Sequence, residues 1–505
     1  MNLKLILEEA AKQYGGKTAI VYGNRRLSYA ELDEASNKVA NALLEIGVRK
    51  GDRVATLLPN SPEFVILYFG IVKIGGIALP LNIRYKIDEL ASLFNNSQPK
   101  VLVAESPSLE LLVSALPRFH YIEQVIELGD QYAGQFISYQ QILTTGLARR
   151  IEVELEPEDT ALIAYTSSPT VNPRGVVLTH HNLVTEATIS AYGFQQTDKD
   201  ITILFALPMH HMMGFVGILL TAIYKGGTVV IVPGLSLRGV MEIIERERGT
   251  IFMGVPYVYA LMINTVEKDG VRSDLSSLRL CGSAGAPLSP DIMTRFKQHF
   301  GMDIIDFWGL SEAVCHITCP PVDGTGKFGS VGKALPGWEI KIVDDNGREL
   351  PTNHPGEIIA KGSIMKGYYN NPQATAEVIK DGWLYTGDNG RVDEDGYLFL
   401  LGRKKDMIIR KGQNIYPRDI EAVLSSHPKV AEVAVVGIPD EMRGENVRAC
   451  ISLKAGEVAT EEEMRHFCRE HMADYKLPKE IIFIDSLPKT GTGQIRKEDL
   501  KHIDK

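Results

Sequence analysis

The sequence predicts an α/β fold, with a large N-terminal domain of α/β lobes and a β-rich lobe followed by a small α+β C-terminal domain. Three observations lead to this prediction. Strand-like runs alternate with helices in the first part of the chain, turns rich in Gly and Asp become dense after about residue 325, and a compact α+β pattern follows residue 402. A chain of 505 residues is also too long for one hydrophobic core, so at least two domains are expected.

The N-terminal part alternates helices with strands. Ser28 and Glu31 have the spacing of a capping box, and apolar residues then recur at helical spacing from Leu32 to Ile46. Strand-like runs occupy residues 53–59, 100–106, 160–167 and 228–234, each bounded by Gly, Pro or polar turns. This alternation favours largely parallel sheets.

The later part of the chain contains more turn-forming residues than the first part. Turns at 344–349, 381–383 and 393–397 predict short antiparallel hairpins. A charged run at 402–412 then precedes a helix near Pro417 to Ser426, the strand VAEVAVVGI and a helix from about Glu461 that Thr460 caps. We therefore place the domain boundary at about residue 402, which gives domains 1–402 and 403–505.

The composition is that of an ordinary globular protein, with 44% hydrophobic and 23% charged residues. A net charge of -9 gives no general attraction to nucleic acid or anionic lipid. The apolar stretches 215–223 and 228–233 are far shorter than the ~20 residues of a membrane span. Glu8 and Glu9 follow the first apolar run directly, which favours an amphipathic helix over a secretory signal and hence a cytoplasmic protein.

Cysteine usage favours reduced thiols. The chain has five cysteines, an odd and sparse number that does not fit a disulfide framework. Cys315 and Cys319 form the close pair among them, but no second ligand pair with zinc-like spacing follows, so no metal site is expected there.

A hydroxyl-rich loop follows the strand that ends near Tyr165. The hydroxyls belong to Thr166, Ser167, Ser168 and Thr170, and Arg174 adds a cation. Hydroxyls and a guanidinium suit phosphate oxygens, and the loop lies between two apolar runs, as a phosphate-holding loop does. On these residues alone a plain turn is the alternative.

Two further segments carry groups that suit a nucleotide. Residues 306–312 place an aromatic surface at Trp308, a hydroxyl at Ser311 and a carboxylate at Glu312, which fit a purine, a phosphate and Mg²⁺. Asp388 follows a tight turn and offers a carboxylate to ribose hydroxyls. A buried Trp beside a solvated Glu, and an ordinary hairpin turn, are the alternatives for each segment in isolation.

Together these segments resemble, in order and spacing, the adenylate-forming superfamily that contains acyl-CoA synthetases, luciferases and peptide-synthetase adenylation domains. The resemblance covers nearly the whole chain. It also rests on Gly285-Ala-Pro-Leu288, Gly367-Tyr-Tyr369, Trp383 to Asp388, Gly402 to Asp406 and Lys411 to Pro417.

The resemblance implies a mechanism in which a carboxylate attacks the α-phosphate of MgATP, and the thiol of coenzyme A then displaces AMP from the acyl-adenylate. It implies that the small C-terminal domain is mobile and rotates about a hinge at Lys405 between the two steps. The implied nucleotide residues are Gly285, Ala286, Pro287, Asp306, Phe307, Trp308 and Gly309, with Asp388 and Arg403 at the ribose, and Ser311 and Glu312 at phosphate and Mg²⁺. His211 would orient the carboxylate, and Gly412, Gln413 and Asn414 would line the coenzyme A entry.

The chain departs from the family at two loops. The phosphate loop has Ser168 and Val171 where glycines are expected, and Pro169 where a threonine is expected, which removes an amide donor and φ > 0 geometry. Gln494 stands where the family has a lysine that approaches the carboxylate and α-phosphate. Gln494 brings no positive charge, so we expect slow adenylation, unless Lys489 or Lys497 reaches the site instead.

The acid is the least defined substrate. An apolar, adaptable pocket for a medium-chain, cyclic or aryl monocarboxylic acid is suggested by methionines, a tyrosine and small residues, with ordinary core filling as the alternative. They are Met209, Met212, Met213, Met253, Tyr257, Gly214, Gly217 and Gly254, and Gly282 is also placed in the pocket. Three functions are considered: a CoA ligase, with the ATP-forming direction in the cell as a variant; an enzyme that loads a carrier-protein thiol; and a weakened nucleotide-binding homologue. The expected partners are small molecules, and the expected assembly is a monomer or homodimer.

Overall fold

A computed structural model describes residues 1–165, 173–234, 237–270, 273–286, 288–410, 413–440, 444–472, 474–490 and 493–503 of the chain. Several residues of the predicted sites lie outside this description. They are Thr166, Ser167, Ser168, Pro169, Thr170, Val171, Pro287 and Gly412, together with the side chains of Gln413 and Asn414.

The elements follow one another in this order. The helices are α1 Leu3–Tyr14, α2 Tyr29–Glu45, α3 Pro62–Lys73, α4 Ile87–Ser97, α5 Ser106–Leu112, α6 Tyr139–Thr145, α7 His180–Gly193, α8 Thr221–Lys225, α9 Leu237–Glu247, α10 Pro256–Asp269, α11 Pro290–Phe300, α12 Pro372–Val378, α13 Pro417–Ser425, α14 Glu461–His471 and α15 Lys497–Lys501. The strands are β1 Thr18–Tyr22, β2 Arg25–Ser28, β3 Arg53–Leu57, β4 Ile77–Pro80, β5 Val101–Glu105, β6 Gln124–Leu128, β7 Ile137–Ser138, β8 Thr160–Tyr165, β9 Gly175–Thr179, β10 Ile201–Leu204, β11 Thr228–Ile231, β12 Ile251–Gly254, β13 Leu280–Ser283, β14 Ile304–Asp306, β15 Thr318–Cys319, β16 Lys333–Ala334, β17 Glu339–Val343, β18 Gly356–Lys361, β19 Gly367–Tyr368, β20 Ile379–Lys380, β21 Trp383–Val392, β22 Leu398–Arg403, β23 Ile408–Arg410, β24 Gln413–Ile415, β25 Val430–Asp440, β26 Gly444–Leu453 and β27 Glu480–Phe483.

Two large sheets form the body of the N-terminal part. Within the described residues, one has seven strands in the order β14-β13-β12-β10-β11-β1-β2, and the other has eight in the order β19-β9-β8-β4-β3-β5-β6-β7. Neighbouring strands run parallel except for the pairs β1–β2, β8–β9 and β9–β19. The predicted α/β architecture with largely parallel sheets is confirmed.

Helices α1, α2 and α3 join the two sheets into one core. The largest apolar cluster contains Leu7, Val39 and Phe69 of these helices and extends to Val54 and Leu204 in the two sheets. Helix α2 begins where the sequence predicts: Ser28 Oγ accepts from the Glu31 amide, and the Glu31 carboxylate accepts from the Ser28 amide. This reciprocal cap satisfies two of the orphan amides at the helix start.

Antiparallel strands follow, as the turn-rich sequence predicts. Strand β18 pairs with β17 and β21, and β21 pairs with β20 and β22, all antiparallel. Asp393 closes the β21–β22 turn by accepting from the amide of Tyr397 at 2.9 Å. This β-rich lobe carries Asp388 on β21 and Arg403 on β22.

The C-terminal part has its own sheet and core. Strands β24-β23-β26-β25 lie in that order, β27 pairs parallel with β26, and α13 and α14 contribute to a separate apolar cluster. The chain changes sheet between Arg403, the end of β22, and Ile408, the start of β23. A large N-terminal and a small C-terminal domain are thus present, while the boundary at residue 402 remains a prediction.

No helix in the described ranges is long and apolar enough to cross a membrane. All five cysteines have free thiols and are buried.

Candidate nucleotide and acid site

Two neighbouring parallel strands bring the predicted adenine residues to one edge of the seven-stranded sheet. Ser283 at the end of β13 is in register with Asp306 at the end of β14. Because loops that follow adjacent parallel strands emerge at the same edge, Gly285 lies beside Trp308 on this rim. Gly285 has φ +81°, a conformation that glycine adopts without strain.

Asp388 is the meeting point of three segments that are distant in sequence. Its Oδ2 accepts a hydrogen bond from Trp308 Nε1 at 2.9 Å, and its Oδ1 lies 2.9 Å from Arg403 Nε. Burial raises the pKa of the Asp388 carboxyl above its ordinary value, although Arg403 and the Trp308 hydrogen bond act in the opposite direction. Each carboxylate oxygen keeps a further lone pair with which it can accept another donor.

Asp306 shares this rim and is electrostatically coupled to the small domain. Burial raises the pKa of Asp306 to about 7, while the Arg418 guanidinium and the Leu288 amide lower it. Arg418, in the first turn of α13, also lowers the pKa of Asp388. Arg418 belongs to none of the predicted site residues, although it directly follows the motif that ends at Pro417.

Glu312 is held by a tyrosine that the sequence analysis quoted only as part of a motif. The Tyr368 hydroxyl donates to Glu312 Oε1 at 2.7 Å, and the Arg174 guanidinium carbon lies 5.4 Å from the centre of the Tyr368 ring. Burial, together with the charge of Glu312, raises the pKa of Tyr368. Arg174 and Glu312 therefore both contact Tyr368, while their phosphate and metal roles remain predictions.

The segment between Trp308 and Thr318 is a closed loop. These two residues form an antiparallel bridge, and Ser311 and Glu312 lie in a short 3₁₀ turn between them. A Cβ added at Gly309 would lie 1.6 Å from the carbonyl oxygen of Cys315, so a side chain at residue 309 does not fit. Phe307 is buried directly before the loop.

The residues predicted for the acid differ in their exposure. His211 is exposed, and desolvation by the surrounding protein lowers the pKa of its imidazole. Burial lowers the pKa of the neighbouring His210 to about 4. Met212 and Met213 are buried in the main core, whereas the Tyr257 side chain is 46% exposed.

Two predicted glycines of the acid pocket lie against their surroundings at very short range. A Cβ added to Gly214 would lie 2.5 Å from the carbonyl oxygen of Pro208. A Cβ added to Gly282 would lie 2.4 Å from Met253 Sδ. Their lack of side chains is thus explained by packing. The pocket-lining roles of these residues remain predictions.

The small domain reaches the rim through the loop that contains Gln494. Gln494 Nε2 donates to the carbonyl oxygen of Gly285 at 2.9 Å, and Lys489 Nζ lies 4.5 Å from the centre of the Tyr257 ring. Lys489 also pairs with Glu432 at 2.6 Å. Gln494 is therefore close to the predicted adenine residues.

The two lysines considered as substitutes are held elsewhere. Lys497 Nζ lies 2.7 Å from Glu421 Oε1 and donates to the Val435 carbonyl, inside the small domain, while Lys489 has the Glu432 partner described above. Lys405 is exposed between β22 and β23. In this arrangement neither Lys489 nor Lys497 takes the place of the expected lysine.

Comparisons with known proteins agree with this geometry. The family model of the AMP-binding enzyme matches residues 7–369, and that of the AMP-binding enzyme C-terminal domain matches residues 419–494. The chain is 35% identical over 511 residues to an indoleacetate–CoA ligase of Aromatoleum aromaticum, covering 100% of this chain and 98% of the relative. It is 32% identical over 532 residues to a long-chain-fatty-acid–CoA ligase of Bacillus subtilis, covering 99% and 94%.

A solved structure extends the likeness to the whole fold. The crystal structure of an anthranilate CoA ligase in complex with anthranoyl-AMP matches with a TM-score of 0.92 at 31% identity, covering 99% of this chain and 96% of that one. The chain belongs to the adenylate-forming superfamily of AMP-binding enzymes and, within it, to the AMP-forming acyl-CoA ligases, which are acid–thiol ligases.

Proposed function

We propose that this acyl-CoA ligase activates a medium-chain, cyclic or aryl monocarboxylic acid with ATP and transfers the acyl group to coenzyme A. The observation that carries the proposal is the convergence of Trp308, Arg403 and Asp388 on one rim, where Gln494 enters from the small domain. That rim holds an aromatic side chain, a carboxylate and an amide donor within one site.

The nucleotide is assigned to the rim. Trp308 and the Gly285–Ala286 backbone border the adenine, and the free lone pairs of Asp388 accept from the ribose hydroxyls, with Arg403 keeping the carboxylate in place. Near neutral pH, Asp306 is partly protonated because its pKa is about 7, so it can donate as well as accept. Thr166, Ser167, Ser168 and Thr170, with Arg174, are proposed for the phosphates by the resemblance.

The residues fit Mg²⁺ at Glu312. Its Oε1 is held by Tyr368, which orients the carboxylate without neutralising it, and the other oxygen remains for a hard cation. When bound, Mg²⁺ neutralises phosphate charge. Ser311, in the same turn, is proposed to contact the α-phosphate.

The chemistry proceeds in two steps. One oxygen of the acid, oriented by His211, attacks the α-phosphorus, the bond to pyrophosphate breaks, and an acyl-adenylate forms. The thiolate of coenzyme A then attacks the acyl carbon and AMP leaves. Gly412, Gln413 and Asn414 are proposed to line the coenzyme A entry after a rotation about Lys405, at a boundary near residue 402.

Gln494 makes the first step the slower one. It occupies the place of the expected lysine as a neutral hydrogen-bond donor, and Lys489 and Lys497 have partners of their own. Removing one preorganised electrostatic contact of this kind lowers the rate of the step by a factor on the order of 10² to 10³. A second candidate function, in which the enzyme runs from acyl-CoA, AMP and pyrophosphate towards ATP, is motivated by the altered phosphate loop with Ser168, Pro169 and Val171.

The test is a panel of acids incubated with MgATP, with and without coenzyme A, followed for AMP and acyl-thioester. The proposal expects AMP and acyl-CoA in equal amounts, dependent on coenzyme A, for at least one medium-chain or aryl acid. Thioester on a carrier protein but not on coenzyme A would favour a carrier-loading enzyme. ATP binding without turnover of any acid would favour a nucleotide-binding homologue. Formation of ATP from acyl-CoA, AMP and pyrophosphate tests the reverse direction.

A further inference from the structure

A buried cluster of polar side chains lies behind the loop that carries Glu312. Glu186 and Ser190 face it from α7, and Cys315 and His316 belong to the chain just after the 3₁₀ turn of Ser311 and Glu312. Glu186 and Ser190 are 0% exposed, and His316 is 2% exposed. Polar groups at such depth require partners, so the hydrogen bonds in this cluster can be followed one by one.

The hydrogen bonds form a chain that ends on the imidazole. Ser190 Oγ donates to Glu186 Oε1 at 2.9 Å and lies 2.7 Å from His316 Nδ1, and the His316 amide donates to the same Glu186 oxygen at 2.8 Å. A hydroxyl has one proton, so when Ser190 donates to Glu186 it accepts from Nδ1–H. Nε2 of His316 is then an acceptor, with Cys315 Sγ 3.4 Å away.

The cluster borders the residues predicted for the acid pocket. A Cβ at Gly217 would lie 2.7 Å from His316 Cε1 and 3.1 Å from Cys315 Sγ. Gly217 lies four residues beyond Met213 in the π-helical segment Met213–Leu220, which places the two close to the same face, about one turn apart. On the other side, the ring centres of Phe307 and His316 lie 4.6 Å apart. A Cβ added to Gly282 would lie 2.7 Å from Phe307 Cε1.

The geometry favours recognition of a polar group over chelation of one ion. Donor atoms of Glu186, Cys315 and His316 lie within 4.8 Å of one another, which a metal site also requires. However, the ring presents different nitrogens to its two neighbours: Nδ1 lies 3.3 Å from Glu186 Oε1, and Nε2 faces Cys315. An ion bound to one ring nitrogen would therefore have to replace one of these two short contacts.

One atom of the cluster has no partner. Among the described residues, Glu186 Oε2 is buried without a hydrogen bond. An unsatisfied buried acceptor costs about 1–3 kcal/mol, a cost that a donor from a ligand would remove. The cluster therefore combines His316 Nε2, whose neighbour is the weakly donating Cys315 thiol, with an unused acceptor at Glu186.

We propose that His316, positioned by Ser190 and Glu186, recognises a hydrogen-bond donor at the end of the acid remote from its carboxylate. This inference rests on the proposed function, because it requires the acid to extend from His211 past Met213 and Gly217. The substrate class is a compact acid, about one aromatic ring in length, that carries a hydroxyl or amino group. A long alkyl chain is disfavoured, because its tail would separate buried polar groups from one another.

The test compares matched acids: phenylacetate with 4-hydroxyphenylacetate and 4-aminophenylacetate, and hexanoate with 6-hydroxyhexanoate. For the wild-type enzyme, kcat/KM for CoA-dependent AMP release should favour the polar member of a pair by about tenfold or more, the value of one neutral hydrogen bond. His316→Phe, which keeps a ring but no acceptor, should bring the ratio to about one or below. Glu186→Gln should lower the ratio less, because it acts through His316.

Cys319→Ala is the matched control. Its thiol contacts the carbonyl oxygens of Gly193 and Pro320 rather than the cluster, so the ratio should not change. If His316→Phe does not fold, differential scanning of the wild type with each acid and a non-hydrolysable ATP analogue gives an independent reading. The polar acid should raise Tm more than its apolar partner.

The possible failures are distinguishable. No AMP release with any acid would contradict the proposed function itself. Turnover of the apolar acids with ratios near one, unaffected by His316→Phe, would overturn this inference alone. Stoichiometric zinc in the purified enzyme, lost on His316→Phe, would also overturn it and assign the cluster to a metal.

Discussion

Asp388 illustrates how a single residue organises the proposed nucleotide site. It lies on β21, where Arg403 of β22 is its direct register partner, and Trp308 approaches from the other sheet. A buried carboxylate is stable only when such donors surround it. The same contacts that stabilise Asp388 also fix its free lone pairs for a ligand.

Asp306 is expected to make stability depend on pH. The pKa of its carboxyl is about 7 in the folded chain against an ordinary value of 3.8, so between these values the folded chain holds a proton that the unfolded chain releases. The free energy of unfolding therefore falls as pH rises through this window, and above about pH 7 the whole of this loss of stability is present. In Asp306→Asn the free energy of unfolding should decrease less steeply with pH, with a slope smaller by up to about 1.4 kcal/mol per pH unit.

Urea unfolding of both proteins at pH 5, 6 and 7 measures this difference. Asp303→Asn, which removes an exposed carboxylate paired with Lys297, is the control and should follow the wild type. Identical slopes for Asp306→Asn and wild type would contradict the assignment of the raised pKa.

Gln494→Lys should restore the missing charge. The glutamine already contacts the Gly285 carbonyl, so a lysine of similar length begins from the same place. We expect the rate of acid-dependent ATP–pyrophosphate exchange to rise by a factor on the order of 10² to 10³. The rate of thioester formation from a preformed adenylate should not change. Gln140→Lys, an exposed residue of α6 far from this loop, controls for added charge. Equal exchange rates would refute the role of Gln494.

Sequence motifs predict the residues of the site that lie close together in the chain. Trp308, Ser311 and Glu312 are within five positions, and their order with Asp388 and Arg403 reveals the family. Tyr368 and Arg418 are different, because their roles arise from contacts across more than 50 residues or from the small domain. Glu186 meets His316 across 130 residues, which no local pattern reveals.

At the scale of elements, the loop from Trp308 to Thr318 presents Glu312. It is closed by one bridge and has no space for a side chain at Gly309. The loop carries Ser311 and Glu312 on one side and Cys315 and His316 on the other. One short element therefore joins the proposed metal and phosphate residues to the cluster behind the acid pocket.

Gly309→Ala is expected to disturb this loop. Its Cβ would lie 1.6 Å from the Cys315 carbonyl oxygen, so the backbone must move, at a cost of about 1–3 kcal/mol or more. Calorimetric titration should show ATP affinity reduced at least tenfold, with a lower Tm. Gly16→Ala, where no atom lies within 4 Å of the added Cβ, is the matched control. Unchanged ATP affinity in Gly309→Ala would contradict the role of the loop.

Hydrophobic periodicity and caps predict many elements correctly. Helix α2 begins at its capping box, and β3, β5, β8 and β11 fall within the predicted strand-like runs. The segment Met213–Leu220 reads as an apolar run whose length and composition do not reveal π-helical hydrogen bonding. Pairings such as β1 with β11 join residues about 200 positions apart, so they depend on the whole fold.

At the scale of the whole molecule, the small domain faces the rim of the large one. Gln494 contacts Gly285, Lys489 lies over Tyr257, and Arg418 acts on Asp306 and Asp388. Lys489 and Gln494 lie in the loop between β27 and α15, and Arg418 lies in the first turn of α13. Under the proposed function this arrangement would serve the first half-reaction, because the loop with Gln494 borders the residues proposed for the nucleotide.

Lys489 and Tyr257 are expected to stabilise this arrangement together. A double-mutant cycle with Lys489→Gln and Tyr257→Leu should give a coupling of about 0.5–1 kcal/mol in the rate of adenylate formation. Thioester formation should show no coupling. Lys501→Gln removes an ion pair with Glu498 inside α15 and serves as the control. Additive effects of the two changes would contradict the contact as a link between the domains.

The most direct test of the account is a single-turnover measurement of both half-reactions on the wild-type enzyme with its best acid. Acyl-adenylate formation from MgATP and thioester formation from added acyl-adenylate are each followed by rapid quench. The account predicts that both occur and that adenylate formation is the slower step, because Gln494 lacks the charge. Adenylate formation faster than thioester formation, or no acyl-CoA from the adenylate, would contradict it.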